Sequence, residues 1–98
     1  MNTREYLLIK LAEECSEVAQ ACSKALLFGL DDVYEGVETN LHKILREFKE
    51  AETVLSMLGT VVNTSKILLS DEFQAIDIEK RKKVIKWMDY SRKVNTLD

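Results

Sequence analysis

Leu8, Leu11, Cys15, Val18, Cys22 and Ala25 recur at alternating steps of three and four residues, the spacing of one face of an α-helix. A second series of the same kind, Leu41, Ile44, Leu45, Phe48, Ala51, Leu55, Leu58 and Val62, follows after a gap. Nothing breaks either series, because the 98 residues include no proline and only three glycines. No strand candidate competes with the helices. The expected fold is all-α, an antiparallel helical bundle of three main helices forming a single domain over residues 1–98. A chain this short buries only about 60–65% of its unfolded surface, so the bundle is expected to be completed by oligomerisation.

The boundaries follow from capping chemistry. Asn2 or Thr3 can cap the first helix, and Gly29 can end it in the left-handed conformation. Residues 30–38 hold two aspartates and a glycine with no helical period, so they read as a loop. Thr39 or Asn40 caps the second helix, with an end expected near Asn63; Gly59 falls inside that pattern and weakens it. Val54, Met57 and Val61 add an apolar strip that one neighbour within the chain cannot cover, and a partner subunit is the natural cover. Residues 64–76 read as a connector with a short helical turn after Ser70. A third helix is expected over 77–93, with Asp77 as cap, Val84, Ile85 and Met88 facing inward, and Lys80, Arg81, Lys82, Lys83, Lys86, Arg92 and Lys93 on its polar side.

The formal charge of −3 excludes a general binder of nucleic-acid polymers, whose affinity rests on phosphate neutralisation. The charge is uneven: residues 1–63 hold 6 basic and 11 acidic side chains, residues 64–98 hold 8 and 6. Cys15 and Cys22, seven residues apart on one helix, lie roughly 10 Å apart along its axis, too far for a disulfide. Both read as small core residues of a reducing compartment. No leader pattern and no apolar run of about 20 residues is present, so a cytoplasmic protein with no membrane association is expected.

Chemistry enters through two glutamate pairs. Glu14 and Glu17 lie three apart on the flank of the first apolar stripe, and Glu47 and Glu50 lie three apart on the flank of the second. Antiparallel packing through the stripes brings all four together, where like charges repel unless a divalent cation joins them. All-oxygen ligation favours Mg²⁺ or Mn²⁺ over zinc. Carboxylate-bridged iron is excluded, since His42, the single histidine, is not three residues after a glutamate. The plainer alternative is a solvated acidic surface in which Lys10 pairs with Glu14 at i,i+4. Spacing alone leaves both open.

The stretch KLAEECSEVAQACSKALLFGLDD (10–32), followed by TNLHKILREFKEAETVLSML (39–58), resembles the MazG-like all-α nucleoside triphosphate pyrophosphohydrolases, in particular the small phage and mobile-element members. The motif of that family is E-E-x-x-E, an interval, then E-x-x-D. Glu13, Glu14 and Glu17 match the first part; Glu47 and Glu50 match the second, with Glu50 where aspartate is usual. WMDYSRK (87–93) resembles the family's last helix. The resemblance implies a Mg²⁺-dependent enzyme that hydrolyses a (d)NTP to the monophosphate and pyrophosphate, for housekeeping of the nucleotide pool. It implies metal ligation by Glu14, Glu17, Glu47 and Glu50. Glu13 then either orients the attacking water or is a solvated salt-bridge partner.

Lys24 and Arg92 are candidates for phosphate contact. Asn40 is most simply an N-cap, with a substrate contact as the alternative. Trp87 and Tyr90 can stack on a base, although a buried aromatic in a small core is the commoner role. Two other readings stay open: a non-catalytic helical oligomer acting as a binding or regulatory module, and a dUTPase-like or phosphoribosyl-ATP-type hydrolase on the same scaffold.

Overall fold

The computed structural model describes residues 1–33 and 36–98, and the described residues are helical without strands. The helices are α1 (Thr3–Phe28), α2 (Asn40–Leu58), α3 (Ser65–Leu68), α4 (Asp71–Gln74) and α5 (Ile76–Lys93). No helix among the described residues is long and apolar enough to cross a membrane. The chain divides into two compact units, Met1–Asn63 and Thr64–Asp98.

In the first unit α1 opens with a reciprocal cap: Asn2 Oδ1 accepts from Glu5 N at 2.9 Å and Glu5 Oε2 accepts from Asn2 N at 3.3 Å. It closes at Gly29, whose φ of 93° and ψ of 152° lie beyond the compact left-handed well that was expected, in a region essentially reserved for glycine. The loop that follows is clasped at its ends, with Asn40 N donating to Asp32 O and Leu41 N to Leu30 O, both at 3.0 Å. Positions 34 and 35 of the expected loop lie outside the described residues. Thr39 caps α2, its hydroxyl accepting from His42 N at 3.1 Å. Asn40 is therefore not the cap. It is the first residue of α2, buried, and its Nδ2 donates to Gly29 O at 2.8 Å.

α2 stops at Leu58 rather than near Asn63. Gly59, Thr60, Val61 and Val62 are all poor helix formers, and the chain tightens there: Thr60 N and its hydroxyl both donate to Met57 O, at 3.0 and 2.7 Å.

Because Gly29 meets Asn40 while Glu14 and Glu17 meet Glu47 and Glu50, α1 and α2 run antiparallel. Their shared core is Leu7, Ala21 and Ala25 against Ala51 and Leu58. This corrects the expected inner face. Leu8 is 50% exposed, and Cys15 and Cys22 are exposed rather than core residues. On both helices the contact is turned by about 50° from the centre of the apolar stripe, towards Glu14 on α1 and Glu47 on α2. Small alanines lie on that edge of each stripe and let the backbones approach, while the bulky residues Leu45, Phe48 and Leu55 stay exposed on the other edge.

In the second unit the turn expected after Ser70 is α4, capped by the Ser70 hydroxyl accepting from Phe73 N at 3.3 Å. The turn before it, α3, had no sequence expectation. Asp77 does not cap α5. Ala75 ends α4 and precedes α5 in helical conformation, leaving no extended residue for a side-chain cap, and Asp77 pairs with Arg81 at 3.2 Å inside the first turn. Val84, Ile85, Met88 and Trp87 are not buried within this chain; Trp87 is 59% exposed, packed edge-on against Tyr90 with centroids 5.9 Å apart.

Candidate functional site

α1 contributes Glu14 and Glu17 and α2 contributes Glu47 and Glu50. The turn of the contact towards these residues, not the apolar stripe alone, brings them together. One carboxylate oxygen from each lies within 4.8 Å of all the others. A single Mg²⁺ ion holds opposite oxygens about 4.2 Å apart, so small side-chain movements would close the set on one ion.

Exposed acidic groups gather without a metal often enough that proximity decides nothing. Burial does. Glu47 is only 6% exposed and Glu14 is half-buried. Glu14 Oε2 and Glu47 Oε2 are buried with no hydrogen-bond partner. An orphaned carboxylate oxygen costs about 1–3 kcal/mol or more, and a hard cation held by the cluster is one ligand that would offset that cost. The donors are all oxygen, as Mg²⁺ or Mn²⁺ requires and zinc does not favour. The residues present therefore fit the expected cation.

The neighbouring charges are arranged differently from the plain surface reading. Lys10 pairs with Glu13, at 3.1 Å, and not with Glu14. Glu13 raises the Lys10 ammonium above its usual value, first through that hydrogen bond and then through its charge. Glu13, 54% exposed along its side chain, lies outside the four-carboxylate cluster. Lys24 is exposed on α1, about 10 Å along the axis beyond Glu17. Arg92 belongs to the second unit, where it donates from Nη1 to Asp89 at 3.2 Å and from Nε to the Asp98 carbonyl at 3.0 Å. Asn40 donates one amide N–H to Gly29 O, which joins the ends of the helix pair, and keeps Oδ1 and its second N–H for other contacts.

Sequence reasoning missed a network at the cluster's edge. Arg46 lies 3.2 Å from Glu50 Oε1 and 3.6 Å from Glu47 Oε1, and its Nη2 donates to Glu38 Oε1 at 2.9 Å. His42 Nδ1 meets Glu38 Oε2 at 2.6 Å. The hydrogen bonds from Arg46, then that from His42, hold the Glu38 carboxyl below its ordinary range; Glu38 in turn raises the Arg46 guanidinium. The i,i+4 spacings of Glu38 with His42 and of Arg46 with Glu50 were the available signal.

The chain matches no known family model, no curated protein and no solved structure.

Proposed function

We propose that this protein is a divalent-metal-dependent nucleoside triphosphate pyrophosphohydrolase, with Glu14, Glu17, Glu47 and Glu50 as the metal ligands. The observation that carries the reading is the pair of orphaned, buried carboxylate oxygens of Glu14 and Glu47 inside a cluster of four. The resemblance of the Glu13–Glu17 and Glu47–Glu50 motifs to the MazG-like enzymes supplies the reaction class.

Mg²⁺ bound there would neutralise the triphosphate and acidify a water for attack at the α-phosphorus. The chain's own part is to present four oxygens from two helices joined through small residues, which limits their movement. Glu13, next to Glu14 and steadied by Lys10, is assigned the orientation of the attacking water. Lys24, exposed on α1 about 10 Å along the axis beyond Glu17, is assigned contact with phosphate oxygens. The broad exposed apolar edges of α1 and α2 support a homo-oligomer.

Anion-exchange analysis of products from a panel of nucleoside triphosphates, with and without Mg²⁺, tests the reading. Pyrophosphate and the monophosphate are expected, without orthophosphate. Release of the γ-phosphate, or no turnover with Mg²⁺ or Mn²⁺, overturns it. A non-catalytic helical oligomer is the second reading, favoured by Arg46, which supplies Glu47 and Glu50 with a counter-charge without any metal.

A further inference from the structure

Arg46 is the cation in ion-pair contact with the cluster among the described residues. Its guanidinium is itself anchored. Nε lies 3.2 and 3.4 Å from the two oxygens of Glu38, and Nη2 lies 2.9 Å from Glu38 Oε1. A planar fork held along one edge presents its remaining N–H groups in one fixed direction. That direction is the cluster: Nη1 donates to Glu50 Oε1 at 3.2 Å and Nη2 lies 3.6 Å from Glu47 Oε1.

The oxygens are sorted by these contacts. Arg46 faces Oε1 of Glu47, and the same residue's Oε2 is the buried oxygen with no partner. Arg46 takes Oε1 of Glu50 as well, which leaves that carboxylate a second oxygen for a ligand. Glu50 is the more exposed of the two, at 46% along its side chain, and has three torsions to restrain.

We propose that Arg46 is a positioning residue of the metal site: anchored by Glu38, it occupies one oxygen each of Glu47 and Glu50 and turns the other towards the cation. The inference rests on the metal-site reading above. It opposes the expectation from charge alone, by which a cation so close to the cluster repels a divalent ion and its removal tightens binding. Outer hydrogen bonds to ligating carboxylates work the other way, and their loss typically weakens metal affinity by about 10–100-fold.

The test is Mn²⁺ binding to the full chain, followed by the paramagnetic resonance signal of free Mn²⁺ at fixed ionic strength, with helix content checked by circular dichroism. Arg46→Gln is expected to weaken binding about tenfold or more. Arg46→Lys, which keeps the charge and loses the fork, is expected to weaken it too, and it decides the matter if Arg46→Gln fails to fold. Glu38→Gln should weaken binding by a smaller factor, because it frees the fork without removing it. In a Glu50→Gln background Arg46→Gln should cost less than in wild type, since one route of its action is gone. Unchanged or tighter binding by Arg46→Gln, or Arg46→Lys indistinguishable from wild type, overturns the proposal and leaves the metal site standing. Wild type that binds no Mn²⁺ overturns both.

Discussion

Met1–Asn63 and Thr64–Asp98 are made of the same kind of helix and differ in what they bury. The first unit holds every buried residue of the described chain, two of them polar, Asn40 and Glu47. The second holds none, although α5 carries Ile76, Val84, Ile85, Trp87 and Met88. Length explains part of this. α1 and α2, with 26 and 19 residues, cover each other, whereas α5, with 18, has only the four-residue α3 and α4 beside it in its own unit. Composition explains the rest: the first unit carries 11 acidic side chains against 6 basic, the second 6 against 8. A helix pair with a surplus of apolar area can place carboxylates in its contact, and a unit with no core has nothing to hold them there.

The largest effect that separates the units comes from removing charge from the carboxylate cluster of the first. Glu47→Gln and Glu17→Gln are expected to reduce turnover to background. Without metal, Glu47→Gln should be no less stable than wild type and up to about 1 kcal/mol more stable, because it removes one of four clustered like charges and adds an N–H donor. Wild type should gain about 2.7 kcal/mol from Mg²⁺ at a hundredfold excess over its dissociation constant. Both glutamine variants should lose most of that gain, while Arg92→Gln, in the second unit, should keep it. Thermal melts with and without Mg²⁺ read all four. Loss of the gain in Arg92→Gln would break the contrast.

The next effect concerns cover for the exposed apolar surface. Val54 is half-buried on α2, and Met57 and Val61 beside it are exposed. Light scattering should find wild type heavier than the 11.3 kDa chain at micromolar concentration. Val54→Asp should dissociate or unfold it, since the charge would have no partner. An 11.3 kDa wild type ends the case for self-association.

Smaller effects sharpen the comparison. Ala51→Leu should cost about 1–3 kcal/mol by forcing α1 and α2 apart, while the same change at exposed Ala75 should stay within about 0.5 kcal/mol; denaturant midpoints decide. The smallest effect is acid-dependent. Because the folded Glu38 carboxyl sits below its ordinary value of 4.5, its contribution is complete above that value and disappears as pH falls from there through the depressed one. The stability difference between wild type and Glu38→Gln should begin to shrink only as the pH falls below about 4.5. A difference already shrinking at pH 6 contradicts the assigned pairing.

α1, α2 and the meeting of Glu14, Glu17, Glu47 and Glu50 were legible because three-residue spacing on long, proline-free helices leaves few arrangements. Which edge of each stripe forms the contact was not. An apolar period reports area, and it cannot report that Ala21, Ala25 and Ala51 admit a close neighbour while Leu8 and Phe48 do not. The early stop of α2 was written in Gly59 and the β-branched run behind it, but a period that continued to Val62 masked it. The pairing of Arg46 with Glu50 had its i,i+4 signal, but its anchoring was hidden because Glu38 lies eight residues away and outside any helix.

The clasp between Gly29 and Asn40 has a consequence for how this scaffold can change. Three hydrogen bonds, Asn40 Nδ2 to Gly29 O, Asn40 N to Asp32 O and Leu41 N to Leu30 O, fasten the two helices at the root of their connection. These bonds set the register of the two helices at that end. Each doubling of the connection's length adds only about 0.6 kcal/mol of closure entropy. A longer connection is thus expected to leave the carboxylates where they are, provided these three bonds are kept.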